Sequence, residues 1–229
     1  MILSEIDLAY FESDYWHPSI ATDAVILSLH RGVLSVLLAK RGDGRGWALP
    51  GGFIQEGESL DDCVRRELKE EAGIEVPYLQ HYGNYSDPAR DPRGQIISVA
   101  YVAIHPSGKL KLRADTDVVD VGWFDVADLP ELAFDHRTIC LDGIKFAQSM
   151  IETDPTIVFA FLPSEFTLTE LQQIYASLGG KKYAPENKRN FRLWVDKFEN
   201  GKGLVVETGN IKTGSHRPAK LYKPNPEIF

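Results

Sequence analysis

Two apolar runs with a short polar break between them form the first regular pattern in the chain. Residues 21–39 are rich in Val, Leu and Ile, and His30-Arg31-Gly32 interrupts them near the middle. A Gly-containing break between β-branched runs is typical of a β-hairpin, and each run is too short to cross a membrane. The pattern therefore predicts a β-rich start, followed by a Gly-rich loop from Gly42 to Gly46.

Helical spacing replaces the strand pattern after Ser59. Ser59 and Asp62 occupy the N-cap and the third position of a capping box, and Gly73 supplies a C-terminal stop signal. One helix therefore fits residues 60–72. Its apolar arc is formed by Leu60, Val64, Leu68 and Ala72.

Three glutamates lie close to that apolar arc. Glu67 and Glu71 fall at its edge, and Glu70 lies one step further round the helix. Carboxylates at these spacings repel each other, and partial burial adds a desolvation cost unless cations compensate it. A solvated acidic face is the common explanation for such a pattern, but it fits a partly inward strip poorly. Divalent ions, which prefer oxygen ligands, would compensate the charge.

Strand and loop signals follow this helix. Residues 96–104 and 118–124 are apolar runs of strand length, and residues 86–94 form a polar loop broken by Pro. The first half of the chain is therefore expected to hold several strands beside the helix.

A long helix is expected to close the first domain. Asp135 can cap it, its apolar pattern runs roughly to Ile151, and Asp154-Pro155 breaks it. We therefore predict a domain boundary at this break, with one domain over residues 1–153 and a second over residues 156–229.

Helix signals restart in the second domain after a short predicted strand over residues 156–162. Thr167 and Glu170 form a second capping box, which begins a helix that ends at Gly179-Gly180. A further helix is expected from about Pro185. Its inner stripe is apolar and consists of Phe191, Trp194, Val195 and Phe198.

The net charge of -8 conceals a difference between the two halves of the chain. Residues 1–163 contain 14 Lys and Arg against 26 Asp and Glu, whereas residues 164–229 contain 11 against 7. The two halves are therefore expected to face different partners.

Cys63 and Cys140 have no metal-ligand or disulfide spacing, and the acidic N-terminus lacks secretory features, so we expect a cytoplasmic protein.

The three glutamates belong to a longer motif. Gly52 is followed after five residues by Glu58, and after seven more by the segment Arg66-Glu67-Leu68-Lys69-Glu70-Glu71-Ala72-Gly73-Ile74. This spacing resembles the Nudix box of the Nudix family, with every restricted position filled. The resemblance implies an α/β/α sandwich with a mixed sheet over roughly residues 15–150, in which the box forms loop, helix and loop around Mg²⁺ or Mn²⁺.

The resemblance also implies roles for individual residues of the box. Glu67, Glu70 and Glu71, with a backbone carbonyl near Gly51, are the implied metal ligands, and Arg66 is the implied orienting partner. Such metal ions neutralise diphosphate oxygens and lower the pKa of bound water, so that hydroxide attacks phosphorus near neutral pH. The proton acceptor stays open among the box carboxylates, which include Glu58, and three aspartates outside the box: Asp115, Asp117 and Asp120.

A polar loop after the box indicates the ligand. Residues 85–94 carry two guanidinium groups, Arg90 and Arg93, which are suited to holding phosphates by forked hydrogen bonds. A surface Arg-Asp pair stiffened by Pro is the alternative. The segment resembles the Arg-Asp-Pro-Arg-Gly segment of Nudix proteins that recognise ADP-ribose, which makes ADP-ribose the first expected ligand. Secondary candidates, each of a type that is more often structural, are Arg41, Tyr85 and His136.

The second domain has the features of a nucleic-acid interface. Strands predicted over residues 203–207 and 220–223 flank a long loop, as expected of a wing. The polar face of the preceding helix could enter a major groove, and it carries Lys188, Arg189, Asn190 and Arg192. Phosphate contacts are expected from the wing residues Lys212, His216 and Arg217. A solubilising basic patch on an accessory domain is the alternative.

The order of acidic Nudix domain, capped helix, basic helix and wing resembles the Nudix-related transcriptional regulators over nearly the whole chain. The resemblance implies a repressor-like regulator of NAD metabolism that binds ADP-ribose in its first domain and operator DNA as a homodimer. Many such regulators have a degraded box, whereas this box is complete, so hydrolysis of ADP-ribose stays open. Two alternatives also fit: an ADP-ribose pyrophosphatase with an accessory C-terminal domain, and a regulator of sugar catabolism.

Overall fold

The computed structural model describes residues 16–106, 118–179, 187–213 and 218–228. It begins with the predicted hairpin, in which β1 (Ser19–His30) pairs antiparallel with β2 (Val33–Arg41). Arg31 and Gly32 form the turn with positive φ angles of 52° and 82°. This turn geometry matches the right-handed twist of the two strands, which explains the polar break in the apolar run.

The hairpin lies within one mixed sheet. The strand order is β3 (Trp47–Ala48), β2, β1, β6 (Ile96–Ile104) and β5 (Tyr78–Tyr85), while β4 (Gly51–Phe53) pairs with β1 and β7 (Val118–Asp125) pairs with β2. Only β1 and β6 are parallel among these described pairs. The strands predicted over residues 96–104 and 118–124 are confirmed. Strand β5 was missed, because its polar residues hide any apolar alternation.

Helices cover both faces of the sheet. Helix α1 (Leu60–Ala72) packs through Leu68 on the face that carries Ile26 of β1. Helix α2 (His136–Thr153) packs on the other face, which carries Leu27. Successive residues of one strand point to opposite faces, so β1 contributes to two cores. The predicted α/β/α sandwich is confirmed.

Helix α1 has the bounds that the sequence predicts, because its signals are local. The Ser59 hydroxyl accepts a hydrogen bond from the Asp62 backbone N–H at 3.2 Å. Gly73 ends the helix with a φ of 66°, and its N–H bonds back to the carbonyls of the last turn.

The start of α2 differs from the prediction. Asp135 occupies the N-cap position, but its side chain makes no capping hydrogen bond. It pairs instead with Arg90, with an Oδ1–Nη2 distance of 2.6 Å and an Oδ2–Nε distance of 2.9 Å. A forked, charge-assisted pair is stronger than a hydrogen bond to a neutral backbone amide. The Asp135 carboxylate therefore points towards Arg90 and not towards the first backbone amides of the helix. The helix continues past Ile151 to Thr153.

The strand predicted over residues 156–162 is wrong. Pro155–Phe161 is a 3-10 helix, and the Asp154 carboxylate caps it by accepting a hydrogen bond from the Thr156 backbone N–H at 2.9 Å. Val158 and Phe161 are fully buried by packing rather than by strand pairing. A short buried apolar run does not distinguish the two structures by its pattern alone.

The C-terminal residues form the helices and strands of a winged helix. Helix α3 (Leu168–Ile174) begins at the predicted capping box, whose two reciprocal hydrogen bonds are both present, and it continues as a π-helical turn, Tyr175–Gly179. Helix α4 (Lys188–Gly201) begins after the N-cap Asn187 and has non-helical backbone at residues 198–200. The expected start at Pro185 lies outside the described residues. Strands β8 (Val205–Lys212) and β9 (Ala219–Pro224) form an antiparallel pair where strands were predicted.

One continuous apolar core joins the two predicted domains. It runs from Ile151 of α2 through Phe161 to Phe191 of α4. The Tyr175 hydroxyl also donates a hydrogen bond to the Pro155 carbonyl at 2.7 Å. The junction is therefore packed, and the domain limits of 1–153 and 156–229 stay a prediction. Among the helices that the structure describes, none combines the length and the apolar character needed to span a bilayer.

Candidate functional site

A cleft of about 410 Å³ opens where the sheet, α1 and the residues before α2 meet. Carboxylates, guanidinium groups and backbone amides converge on it, as is typical of a site for a small polar ligand. It brings together seven of the predicted metal and ligand residues: Arg41, Gly51, Glu67, Glu71, Arg90, Arg93 and His136.

Glu71 is largely enclosed by the cleft wall. Its Oε2 atom accepts a hydrogen bond from the Gly51 backbone N–H at 3.0 Å. Burial raises the pKa of Glu71 to about 8, and although the Gly51 hydrogen bond opposes this shift, the nearby Glu67 carboxylate adds to it. A carboxyl group in this position retains its proton at neutral pH unless a cation comes near.

Glu67 lies against the backbone of Gly52. A Cβ atom added to Gly52 would lie 2.1 Å from the Glu67 Oε1 atom, so only glycine leaves room for the carboxylate. Burial raises the pKa of Glu67, and the Arg66 guanidinium acts in the opposite direction. A larger residue at position 52 would therefore displace the Glu67 carboxylate from this position.

Arg66 connects the other carboxylates of the box. Its guanidinium lies 2.8 Å from Glu58, 2.7 Å from Glu67 and 3.1 Å from Glu70. The hydrogen bonds from Arg66 hold the pKa of Glu58 at about 2. A helical wheel places Arg66 on the outer arc, but its long side chain reaches back over the acidic strip. This geometry agrees with the orienting role that the sequence predicts.

Glu58 and Glu70 do not line the cleft. Across the described residues, no group of three or more His, Cys, Asp and Glu side chains has the geometry of a metal site. Glu70 turns towards Arg66 instead. Glu67 and Glu71 nevertheless fit a hard divalent cation, because both are enclosed oxygen donors of raised pKa that face one cavity. Of the aspartates considered as proton acceptors, Asp120 is exposed on β7, and Asp115 and Asp117 lie outside the described residues.

The arginines of the cleft are each held by an aspartate. Arg90 is nearly buried, with a side chain 4% exposed, and it forms the forked pair with Asp135. Arg93 pairs with Asp91 at 2.7 Å. These partners fix both guanidinium groups in the wall, so they keep a defined geometry without a ligand.

Arg41 and Tyr85 complete the predicted ligand residues. Arg41 lines the cleft and pairs with Asp43 at 2.8 Å. The Tyr85 hydroxyl donates a hydrogen bond to Asp142 at 3.2 Å, and Tyr85 is absent from the cleft wall. The ligand role of Tyr85 therefore has no support from the geometry and stays a prediction.

Two buried polar residues of the cleft, His136 and Asp23, make more contacts than the sequence indicated. His136 accepts a hydrogen bond on Nδ1 from the Leu49 backbone N–H at 3.0 Å, and its Nε2 lies 3.7 Å from Asp23 Oδ1. Asp23 also accepts a short hydrogen bond from the Ser98 hydroxyl. Asp23 was missed, although a lone carboxylate inside an apolar strand is a signal that could have identified it.

The predicted basic face is present on α4. Four residues, all exposed, form it: Lys188, Arg189, Asn190 and Arg192. Arg192 donates a hydrogen bond to the Tyr222 hydroxyl at 3.0 Å, which ties the helix to β9. Lys212 at the end of β8 pairs with Glu170 at 2.6 Å. The other predicted wing residues, His216 and Arg217, lie outside the described residues.

Comparisons with known proteins find two family models along the chain. The family model of the NUDIX domain matches residues 18–141, and the model of the NrtR DNA-binding winged helix domain matches residues 158–223. The chain therefore belongs to the Nudix family. Within it, the winged helix places the chain among the NrtR-type, Nudix-related transcriptional regulators.

Individual relatives extend the similarity over most of the chain. The ADPR responsive transcriptional repressor NtrR of Acinetobacter baylyi is 33% identical over 93% of this chain and 85% of its own length. The crystal structure of Shewanella oneidensis NrtR complexed with a 27mer DNA has a TM-score of 0.71 and 31% identity, and the match covers 91% of this chain and 94% of that one. An ADP-ribose pyrophosphatase of Methanocaldococcus jannaschii is 39% identical over 58% of this chain and 76% of its own length.

Proposed function

We propose that this chain is a repressor of NAD metabolism genes that binds ADP-ribose in the cleft and operator DNA through α4 and the wing. The observation that carries the proposal is that one packed core joins a polar cleft to an exposed basic helix. The similarity to an ADPR responsive repressor over nearly the whole chain supports the choice of ligand.

Helix α2 offers a route between the two sites. Its first residue, His136, lines the cleft, and Ile151 near its other end lies in the core shared with α4. A ligand changes DNA affinity only if it binds two arrangements of the protein unequally. A shift of α2 on ADP-ribose binding would reposition the basic helices relative to the operator, which we expect to release the DNA.

Hydrolysis of ADP-ribose to AMP and ribose 5-phosphate is the second candidate function. It is favoured by the complete box and by the similarity to an ADP-ribose pyrophosphatase. Glu67, Glu71 and the Gly51 carbonyl would hold Mg²⁺ or Mn²⁺, with Glu70 turned inward from Arg66. When bound, such an ion neutralises diphosphate oxygens and lowers the pKa of water. Arg66 orients Glu58 and Glu67, either of which could accept the proton.

The proposal includes a cytoplasmic homodimer, since two basic helices are needed to contact two operator half-sites. Regulation of sugar catabolism is the remaining alternative, and it differs in the ligand and in the regulated genes. The arginine pairs of the cleft favour a diphosphate over an uncharged sugar.

A gel shift with DNA from upstream of the chain's own operon tests the regulator, with and without ADP-ribose. We expect a retarded band that ADP-ribose removes. A parallel assay of ADP-ribose hydrolysis with Mg²⁺ or Mn²⁺ tests the enzyme. A band that is unchanged by ADP-ribose but removed by a sugar would contradict the ligand, and an absence of turnover with both metals would contradict the second function.

A further inference from the structure

Phe134 lies in the cleft wall in an unusual backbone conformation. Its φ angle is 54°, in the left-handed region that bulky side chains rarely adopt. Residues held in such conformations persist where the surrounding structure fixes them, and they cluster at ligand sites. Neither the box nor the basic helix explains this residue.

Bonds to the cleft wall fix the backbone on both sides of Phe134. On one side, the Ala133 N–H donates to the Trp47 carbonyl at 2.8 Å. On the other side, Asp135 holds Arg90, and His136 accepts the Leu49 N–H. The chain must turn sharply between these anchors, and the turn presents the phenyl ring to the cavity.

Three guanidinium groups surround the half-buried Phe134 ring. The central carbons of Arg93, Arg41 and Arg45 lie 5.0, 5.5 and 5.6 Å from the ring centroid. These distances are within the range of cation–π contact. Such planar groups stack on aromatic faces, so the ring already accommodates a flat, polar partner.

A second ring extends this stacking surface. The Arg93 guanidinium also lies 5.5 Å from the ring centroid of Phe53, which is itself 43% exposed. An exposed aromatic ring at a polar cavity has apolar surface that a ligand can cover. The two phenyl rings and the guanidinium groups therefore combine stacking surfaces with positive charge at one side of the cavity.

We propose that Phe134 recognises the nucleobase of the ligand, whose planar ring stacks on the phenyl group in place of the exposed Arg45 guanidinium. Arg41 and Arg93 then keep their aspartate pairs beside the diphosphate. Phe134 would thus bind the base, the cleft arginines the diphosphate, and Glu67 and Glu71 the divalent cation. This inference rests on the proposed function, because it requires a nucleotide in the cleft.

Calorimetric titration of the full chain with ADP-ribose and with ribose 5-phosphate, which lacks a base, tests the inference. We expect Phe134→Leu to weaken ADP-ribose binding by roughly tenfold, the scale of base stacking on an aromatic ring, and to leave ribose 5-phosphate binding unchanged. Phe134→Tyr should retain the wild-type affinity. Phe134→Gly, which tolerates the positive φ, should lose as much ADP-ribose affinity as the leucine variant.

Equal ADP-ribose affinity in wild type and Phe134→Leu would overturn this inference and leave the proposed function standing. A similar loss for both probes would also overturn it, because the residue would then only support the wall. If Phe134→Tyr loses as much ADP-ribose affinity as Phe134→Leu, the inference is overturned as well, because an aromatic ring at this position then does not matter. If the wild-type chain binds neither probe, the proposed function itself fails, and this inference fails with it.

Discussion

The cations of the cleft are paired with carboxylates, whereas Lys188 and Arg189 of α4 are exposed to solvent. In the cleft, Arg90 and Arg93 each pair with an aspartate, at 2.6 and 2.7 Å. On α4, Lys188 and Arg189 are exposed, and within the described part of the chain they form no salt bridge. A cation fixed by a carboxylate has one geometry and suits a small anion, whereas an unpaired cation in solvent can follow a phosphate backbone. The same residue types therefore suit recognition of a small anion in the cleft and attraction to a phosphate backbone on α4.

The substitution Glu71→Gln tests the cleft, and it should have the largest effect. We expect Mg²⁺-dependent hydrolysis of ADP-ribose to fall by at least about 100-fold, because even partners outside the first ligand shell commonly change activity 10–100-fold. The amide oxygen can still accept the Gly51 N–H, so the fold should survive. The measurement is kcat/KM at saturating Mg²⁺, together with Mn²⁺ affinity.

The exposed Glu75→Gln is the matched control for this substitution. DNA binding without ligand should be unchanged in both variants. Wild-type turnover and Mn²⁺ affinity in Glu71→Gln would show that the enclosed carboxylate is not a metal ligand.

The raised pKa of Glu71 predicts a pH dependence of stability. The carboxyl group keeps its proton up to about pH 8 in the folded chain, whereas it loses it near its usual 4.5 when unfolded. Its contribution is therefore fully present below pH 4.5 and is lost as the pH rises to about 8, by at most about 1.4 kcal/mol per pH unit. Mg²⁺ or Mn²⁺ should reduce this loss, because it binds the ionised form.

Urea unfolding at pH 5, 6, 7 and 8, with and without Mn²⁺, measures this dependence. Glu71→Gln provides the control, since its side chain does not titrate. The raised pKa of Glu71 is contradicted if wild type and Glu71→Gln show the same slope of unfolding free energy against pH.

Arg189→Ala tests the exposed cations of α4. We expect operator affinity to fall by roughly fivefold, and the slope of log affinity against log salt to decrease by about one, because one phosphate contact is lost. Fluorescence anisotropy at several salt concentrations measures both, and hydrolysis of ADP-ribose should not change. Lys197→Ala, an exposed change on the same helix, is the control. An unchanged salt slope in Arg189→Ala would remove this residue from the interface.

Lys212→Ala should have the smallest effect. Glu170 already holds this ammonium group at 2.6 Å, so its charge is largely neutralised before DNA arrives. We expect operator affinity to change by less than about twofold, the scale of an exposed ion pair. If Lys212→Ala weakens binding as much as Arg189→Ala in the same anisotropy assay, pairing does not distinguish the cations of this domain.

The sequence predicted the elements whose signals are local. Ser59 and Gly73 set the ends of α1 through their own backbone and side-chain bonds, so the bounds agree. The 3-10 helix Pro155–Phe161 was misjudged because its apolar run is buried by distant residues. Local pattern alone does not determine which structure such packing selects.

The candidate site likewise contains features that the sequence identifies and features that only the folded structure shows. The box residues were identified from their spacing, and Glu67 and Glu71 do face the cleft. The pairing of Asp135 with Arg90 joins residues far apart in sequence, and the positive φ of Phe134 depends on anchors in two other segments. No local pattern carries these facts, since they arise only after the chain has folded.

The packed junction at Pro155 has a thermodynamic consequence. Because Ile151, Phe161 and Phe191 share one core, neither module can lose its packing without exposing apolar surface on the other. Heating should therefore melt both modules together in a single calorimetric peak. A small molecule bound only to the N-terminal module would then raise the melting temperature of the DNA-binding module as well.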